Sequence, residues 1–160
     1  MNLSQIIDDF NGTWQRLSAL PGGRALFSKL LNTAVPYTGS IKAQIVELAP
    51  GKSVVTMRDR RRVRNHLNSI HAVALMNLGE LCTGTATMAS LTTEQRAILV
   101  GLGIRYHKKA RGTLTARCET SIPVVEERQE VKVSAQIFDS SETVVAEVDA
   151  TWLVGPKKPA

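Results

Sequence analysis

The sequence predicts an α+β fold in which an antiparallel sheet wraps around one long central helix. Two observations carry this. From Leu67 to Thr93 the chain runs through twenty-seven residues, LNSIHAVALMNLGELCTGTATMASLTT, with one charged group, Glu80; such a stretch reads as a helix apolar nearly all round, which has to be enclosed. On both sides of it, segments alternate apolar and polar residues with period two, the mark of strands with one buried face. A sheet with one apolar face and an all-round apolar helix bury each other when the sheet curves over the helix. At 160 residues one domain suffices, burying about two thirds of its unfolded surface.

In chain order, Leu3, Ile6, Ile7, Phe10, Trp14 and Leu17 recur at helical spacing, and this helix should stop before Pro21-Gly22-Gly23. A second short helix carries Leu26, Phe27, Leu30 and Leu31 on one face and should end near a turn at Pro36-Tyr37-Thr38-Gly39. From Ser40 the period shortens to two. Ile41, Ala43 and Ile45 oppose Lys42 and Gln44, and Pro50-Gly51 turns the chain into Val55 and Met57, giving a hairpin. Beyond the central helix, Ile98, Val100, Leu102, Ile104 and Tyr106 should share one face, followed past a turn at Arg111-Gly112 by Leu114, Ala116, Cys118 and Ile122. Val131, Val133, Ala135 and Ile137 mark the next strand. Ala146, Val148, Ala150, Trp152 and Val154 mark the last, after the polar turn Asp139-Ser140-Ser141. These four strands are expected to form a meander. The expected organisation is a single domain with N-terminal helices over residues 1–36, a core over 40–154 and a flexible tail over 155–160.

Composition excludes several classes. Cys82 and Cys118 lie in apolar-patterned segments without metal-ligand spacing, so they read as reduced and structural, and neither a metal nor a cofactor is expected. The start, MNLSQIIDDFNGTWQ, lacks the basic end and apolar block of a signal peptide, and no stretch reads as a membrane span. A cytoplasmic protein is expected. The net charge of +6 is uneven: Arg58, Arg60, Arg61, Arg62 and Arg64 crowd one loop, Arg105, Lys108, Lys109 and Arg111 another, and acids gather after Glu119. Such patches recruit phosphates, on nucleic acid or on a nucleotide-bearing molecule such as coenzyme A. Aromatic residues make up only 4% of the chain and none interleaves with the arginines, so platforms for stacking single strands are missing and a nucleic-acid partner is disfavoured.

A carboxylate alone in an apolar helix must be paired, protonated or used chemically, because leaving it desolvated and unpaired costs several kcal/mol. Glu80 therefore heads the candidates. The run Asn65-His66-Leu67-Asn68-Ser69-Ile70-His71-Ala72, followed by Glu80, resembles the active-site segment of hotdog-fold thioesterases of the PaaI-like kind, and is closest to an uncharacterised branch of that superfamily. In that family an Asn precedes by six residues the His of a His-Gly pair that opens the central helix, and an acid follows the Gly by eight. The spacings match here, with Ala72 in place of the Gly and Glu80 in place of the commoner Asp.

The resemblance implies a hotdog fold and acyl thioester hydrolysis. It implies that Asn65 orients water or substrate, that His71 stands at the helix start, that Ala72 offers its N–H to the thioester oxygen, and that Glu80 is base or nucleophile. The chemistry is sound by itself, since a helix start supplies oxyanion donors and a carboxylate activates water. Nine residues separate His71 from Glu80, about 13.5 Å along a helix and half a turn around it. A two-fold pair of chains with helices side by side would join one helix start to the other chain's Glu80, so a homodimer or tetramer is expected. Arg60, Arg61, Arg62, Arg64, Lys108 and Lys109 are the candidates for the phosphates of an acyl-CoA substrate or related thioester.

Other readings stay open. Glu80 could merely bond polar side chains at an interface, His71 could simply orient the turn, and Asn65 could be a loop or cap residue. His66 precedes Glu80 by fourteen residues, the spacing of the His and Glu in hotdog dehydratases, although the proline found between them in those enzymes is missing. A module that holds an acyl chain without turning it over is the remaining alternative.

Overall fold

The computed structural model describes residues 9–157, so Leu3, Ile6 and Ile7 lie outside the described residues. Helix α1 (Phe10–Ser18) is capped by Asp9, whose carboxylate accepts the Gly12 N–H. Its Phe10 and Trp14 rings meet the ring of Phe27 edge-on, with centroids 5.4 and 5.2 Å apart. Phe27 belongs to α2 (Gly23–Ala34), which buries Phe27 and Leu31 one turn apart. Leu26, expected beside them, is 47% exposed, because it lies a third of a turn around the helix from Phe27. The expected turn at Pro36 is instead one turn of helix, α3 (Pro36–Gly39), with proline at the position that needs no backbone donor.

Strands β1 (Gln44–Ala49) and β2 (Lys52–Met57) form the expected hairpin. Gly51 takes the left-handed conformation that the turn needs, φ 72°, and its N–H bonds the Ser90 hydroxyl at 2.6 Å. The strand starts later than the alternation suggests, since Lys42 at φ 48° breaks the extended run, although Ile41 and Ala43 are still buried. A short 3-10 turn (Arg61–Val63) and a loop then lead into the central helix α4 (Ala72–Ser90). Most of α4 is buried, and at Gly79 it approaches the sheet so closely that a Cβ would stand 2.2 Å from Val148.

Strands β3 (Gln95–Tyr106), β4 (Leu114–Glu119), β5 (Gln129–Phe138) and β6 (Val144–Pro156) complete one antiparallel sheet in the order β1-β2-β4-β5-β6-β3, curved over α4. The meander covers only β4, β5 and β6. Strand β3 pairs with β6 at the far edge, and residues 107–113 cross the molecule to reach β4. The reason lies in that crossing: Gly112 N–H bonds the Asp59 carboxylate and the Ala110 carbonyl accepts the Ile70 N–H, so Arg111-Gly112 docks on the loop before α4 and makes no hairpin.

A bulge in β3 corrects a second expectation. Leu99 pairs with Trp152 and Gly101 with Thr151, which leaves Val100 unmatched and switches the faces. Ala97, Leu99, Leu102 and Ile104 therefore look inward, whereas Ile98 is 63% and Val100 50% exposed. Strand β4 ends at Glu119, short of Ile122. Gly155, Pro156 and Lys157, expected in the flexible tail, are held: Gly155 and Pro156 are in β6, and Lys157 N–H bonds the Glu94 carbonyl. Residues 158–160 lie outside the described residues. Cys82 of α4 and Cys118 of β4 are free and buried, and burial raises both thiol pKa values, that of Cys118 to about 11.

Candidate active site

The start of α4 is built by its own sequence. His71 has extended backbone, and its ring Nδ1 accepts the Val73 N–H at 3.1 Å while its carbonyl accepts those of Ala74 and Leu75. The Ala72 N–H is left without a partner among the described residues, at the positive end of a helix of 19 residues. A backbone donor left free at such a position can accept the approach of an anion or a polarised carbonyl oxygen. Tyr106, at the end of β3, donates its hydroxyl to the Ala72 carbonyl at 3.0 Å and so ties sheet to helix start. Asn65 holds the loop that leads there: its Oδ1 accepts from Leu67 N–H, Ser69 N–H and the Ser69 hydroxyl at 3.0, 3.2 and 3.1 Å. The oxygen that the resemblance would direct at water is thus committed to the loop. His66 is exposed in the same loop and lines neither of the two pockets described next.

Glu80 stands on the face of α4 marked by Val73, Met76 and Asn77, the spacing of one helical stripe. These four, with Tyr37 and Thr38 of α3 and Leu102 of β3, line a pocket of about 300 Å³. The glutamate runs along the helix toward Gly84, where a Cβ would lie 3.7 Å from its Oε1 and 3.2 Å from the Trp152 ring. No hydrogen bond or ion pair reaches its carboxylate from the described residues, and burial pushes its pKa above the usual carboxylate range. A second pocket of about 220 Å³, which holds His71, Ala74 and Arg62, shares Tyr37, Val73 and Asn77 with the first. The helix start and Glu80 therefore open onto adjoining hollows on one side of the molecule, about 12 Å apart along the axis for eight residues.

The basic candidates divide. Arg60 donates to the Ile41 carbonyl, Arg64 pairs with Asp59 at 2.6 Å and bonds Asn68, and Lys108 pairs with Asp139 at 2.8 Å. These three hold the structure together. Arg61, Arg62 and Lys109 are exposed and have no partner among the described residues. No group of His, Cys, Asp and Glu among those residues is arranged to hold a metal ion, and no helix is long and apolar enough to cross a membrane.

Three residues of this region escape a reading of the sequence. Tyr37 sits in a segment that reads as a turn, and Tyr106 in one that reads as an apolar strand face. Asn77 left a trace, being a strongly polar residue three positions before Glu80 inside the apolar run.

Comparison with solved structures gives matches over most of the chain. A structural-genomics target is 30% identical, with a TM-score of 0.77, covering 97% of this chain and 99% of that one. A protein of unknown function from Pseudomonas aeruginosa, described as a probable thioesterase, is 20% identical with a TM-score of 0.72, over 86% of this chain and 97% of its own. A thioesterase from Haemophilus influenzae is 14% identical with a TM-score of 0.67, over 77% and 85%. These likenesses carry the α+β hotdog fold, with the sheet wrapped around α4 and the N-terminal helices packed outside it. No curated protein matches. A family model described as a domain of unknown function (DUF4442) spans residues 23–154, and the chain belongs to that family.

Proposed function

We propose that this protein hydrolyses acyl thioesters, with acyl-CoA as substrate class, at a site shared between two protomers of a homodimer or tetramer. One observation carries the reading: a half-buried, unpartnered carboxylate, Glu80, lies in a pocket that adjoins a helix start whose Ala72 N–H has no partner among the described residues. The names of the Pseudomonas and Haemophilus relatives support the reaction class.

In this mechanism the thioester carbonyl oxygen accepts from Ala72 N–H, where the helix dipole stabilises the developing negative charge. Glu80, ionised, draws a proton from water as the water attacks the carbonyl and returns that proton to the departing thiolate; alternatively Glu80 attacks the carbonyl itself, the thiolate leaves, and water hydrolyses the resulting acyl anhydride to the free acid, which restores the carboxylate and leaves one water proton for the thiolate. His71 caps the turn and Asn65 sets the loop, so both shape the donor and act through it. The 12 Å separation along one helix supports the pairing of Ala72 from one chain with Glu80 of the other. So does the apolar surface beside the pocket, where Val73 is 50% and Tyr106 46% exposed. Arg61, Arg62 and Lys109 are assigned to the coenzyme A phosphates.

The test is a thiol-release screen across short, medium, long and aromatic acyl-CoA substrates, with crotonyl and hydroxyacyl thioesters assayed for hydration alongside. Thiol release that exceeds hydration supports hydrolysis. Hydration without thiol release overturns it in favour of a hydratase, and binding without either reaction identifies an acyl-binding module.

A further inference from the structure

We infer that α2 seals one edge of the sheet: Arg24, Ser28 and Asn32 occupy the open side of β1 and stop a second copy of this chain from adding a strand there. The inference goes beyond the proposed reaction and does not depend on it.

The six-stranded sheet has two edges, β1 and β3. An edge strand presents unpaired N–H and C=O groups, a template on which another chain can pair. On β1, one stripe of α2 takes such groups. Arg24 donates to the Val46 carbonyl at 2.9 Å, Ser28 accepts the Ile45 N–H at 2.9 Å, and Asn32 donates to the Ala43 carbonyl at 3.0 Å. The three side chains follow one another at intervals of one helical turn, so they share a face, and they meet the strand in reverse order, so helix and strand run antiparallel. The lengths agree as well, about 12 Å of helix from 24 to 32 against about 10 Å of strand from 43 to 46.

Ser28 can accept because its own hydroxyl proton goes one turn back, to the Arg24 carbonyl at 2.8 Å, which leaves its lone pairs for the strand. It is 4% exposed, so an incoming strand could reach the Ile45 N–H only by displacing the helix. Two further features point the same way. Val46 has no partner in β2, a bulge that breaks regular pairing at this edge. Lys29 and Lys42 line the groove between α2 and β1, exposed and without an acidic partner among the described residues, so two copies brought edge to edge would set like charges together. The opposite edge differs: among the described residues no side chain bonds the backbone of residues 96–106 in β3. A sheet open at one edge extends once, by two-fold pairing, and then closes; a sheet open at both would grow without end.

The experiment combines Arg24→Ala, Ser28→Ala and Asn32→Ala, which delete the bonds and favour the helix, and follows mass by sedimentation over a wide range of concentration. The wild-type mass should level off. The triple variant, folded by circular dichroism, should keep growing with concentration and shrink again on dilution. A folded variant whose mass levels off where the wild type's does overturns the inference and leaves three bonds that merely dock α2. If the triple variant unfolds, the milder pair Ser28→Ala with Asn32→Ala decides through hydrogen exchange at the Ile45 amide. Without its acceptor, this amide should exchange about tenfold faster in dilute protein, the scale of one hydrogen bond. Exchange should slow again at high concentration, as a second strand pairs there. Exchange that stays slow, or stays fast at every concentration, overturns the inference. Neither readout involves turnover.

Discussion

The hydroxyl of Tyr106, the last residue of β3, donates to the carbonyl of Ala72, the first residue of α4, at 3.0 Å. This bond links the edge of the sheet to the one turn whose free N–H the proposed reaction uses. Tyr106→Phe keeps the ring and deletes only the bond. With the side chain half exposed, the cost should be at most about 1 kcal/mol, a fall in Tm of roughly 2–4 °C. Turnover should fall as well, with KM little changed, because the proposed donor loses its anchor while the arginines proposed to bind substrate are untouched. Unaltered kcat in the variant would show that the first turn holds its place without Tyr106.

Glu80→Gln should lower turnover by at least about a hundredfold, the scale of a lost general base. Stability should move the other way. Burial raises the folded-state pKa of Glu80 above its unfolded value, so the stability this group contributes is present below the unfolded pKa and lost as pH rises through the folded one. A neutral glutamine escapes that loss, and the variant should be more stable than wild type at neutral pH, with the difference closing in acid. Wild-type rates should fall on acidification at a pH above that of a free glutamate. Urea titrations at several pH values and a pH–rate profile check these signs; a variant destabilised at pH 7 would contradict the picture of a desolvated, unpaired carboxylate.

The division among the cations gives a contrast within one loop. Arg61→Ala and Arg62→Ala, alone or with Lys109→Ala, should raise KM for acyl-CoA and leave a truncated thioester without the nucleotide nearly unaffected, because that substrate has no phosphates to lose. Arg60→Ala and Arg64→Ala remove a bond to the Ile41 carbonyl and an ion pair to Asp59, so they should lower Tm and impair both substrates alike. Equal damage to both substrates from the Arg61 and Arg62 changes would mean that these side chains also serve the structure.

Much of the fold was legible because apolar periodicity answers to burial. The enclosed helix, the Pro50-Gly51 hairpin and the last two strands follow from it directly. Periodicity carries no information about partners, however, so the crossing from β3 to β4 was missed: it depends on Asp59 accepting from Gly112, residues far apart in sequence. The bulge at Val100 was missed for a related reason, since alternation looks unbroken in a strand whose outward residues are also apolar. At the site, Glu80 stood out through charge alone and the helix start through spacing. Which of six cations were already paired, and that the Asn65 oxygen closes its own loop, depended on contacts that only folding creates.

The arrangement of Ala72 permits a clean removal of the proposed oxyanion donor. Ala72 occupies the first position of α4, is exposed, and follows a residue with φ −65° and ψ 140°, the extended conformation that proline favours before it. Proline at this position removes an N–H that bonds nothing in the helix and leaves the helix intact. Ala72→Pro should therefore fold with a Tm near that of wild type and lose about a hundred- to a thousandfold in kcat, the usual effect of deleting one such donor. Co-folded with Glu80→Gln, it tests the shared site. If the Ala72 of one chain works with the Glu80 of the other, each mixed dimer has one doubly damaged site and one intact site. Random pairing makes about half the dimers mixed, so activity should recover to roughly a quarter of wild type when the sites act independently. Mixed dimers that form but recover nothing would return both groups to a single chain, or remove one of them from the reaction.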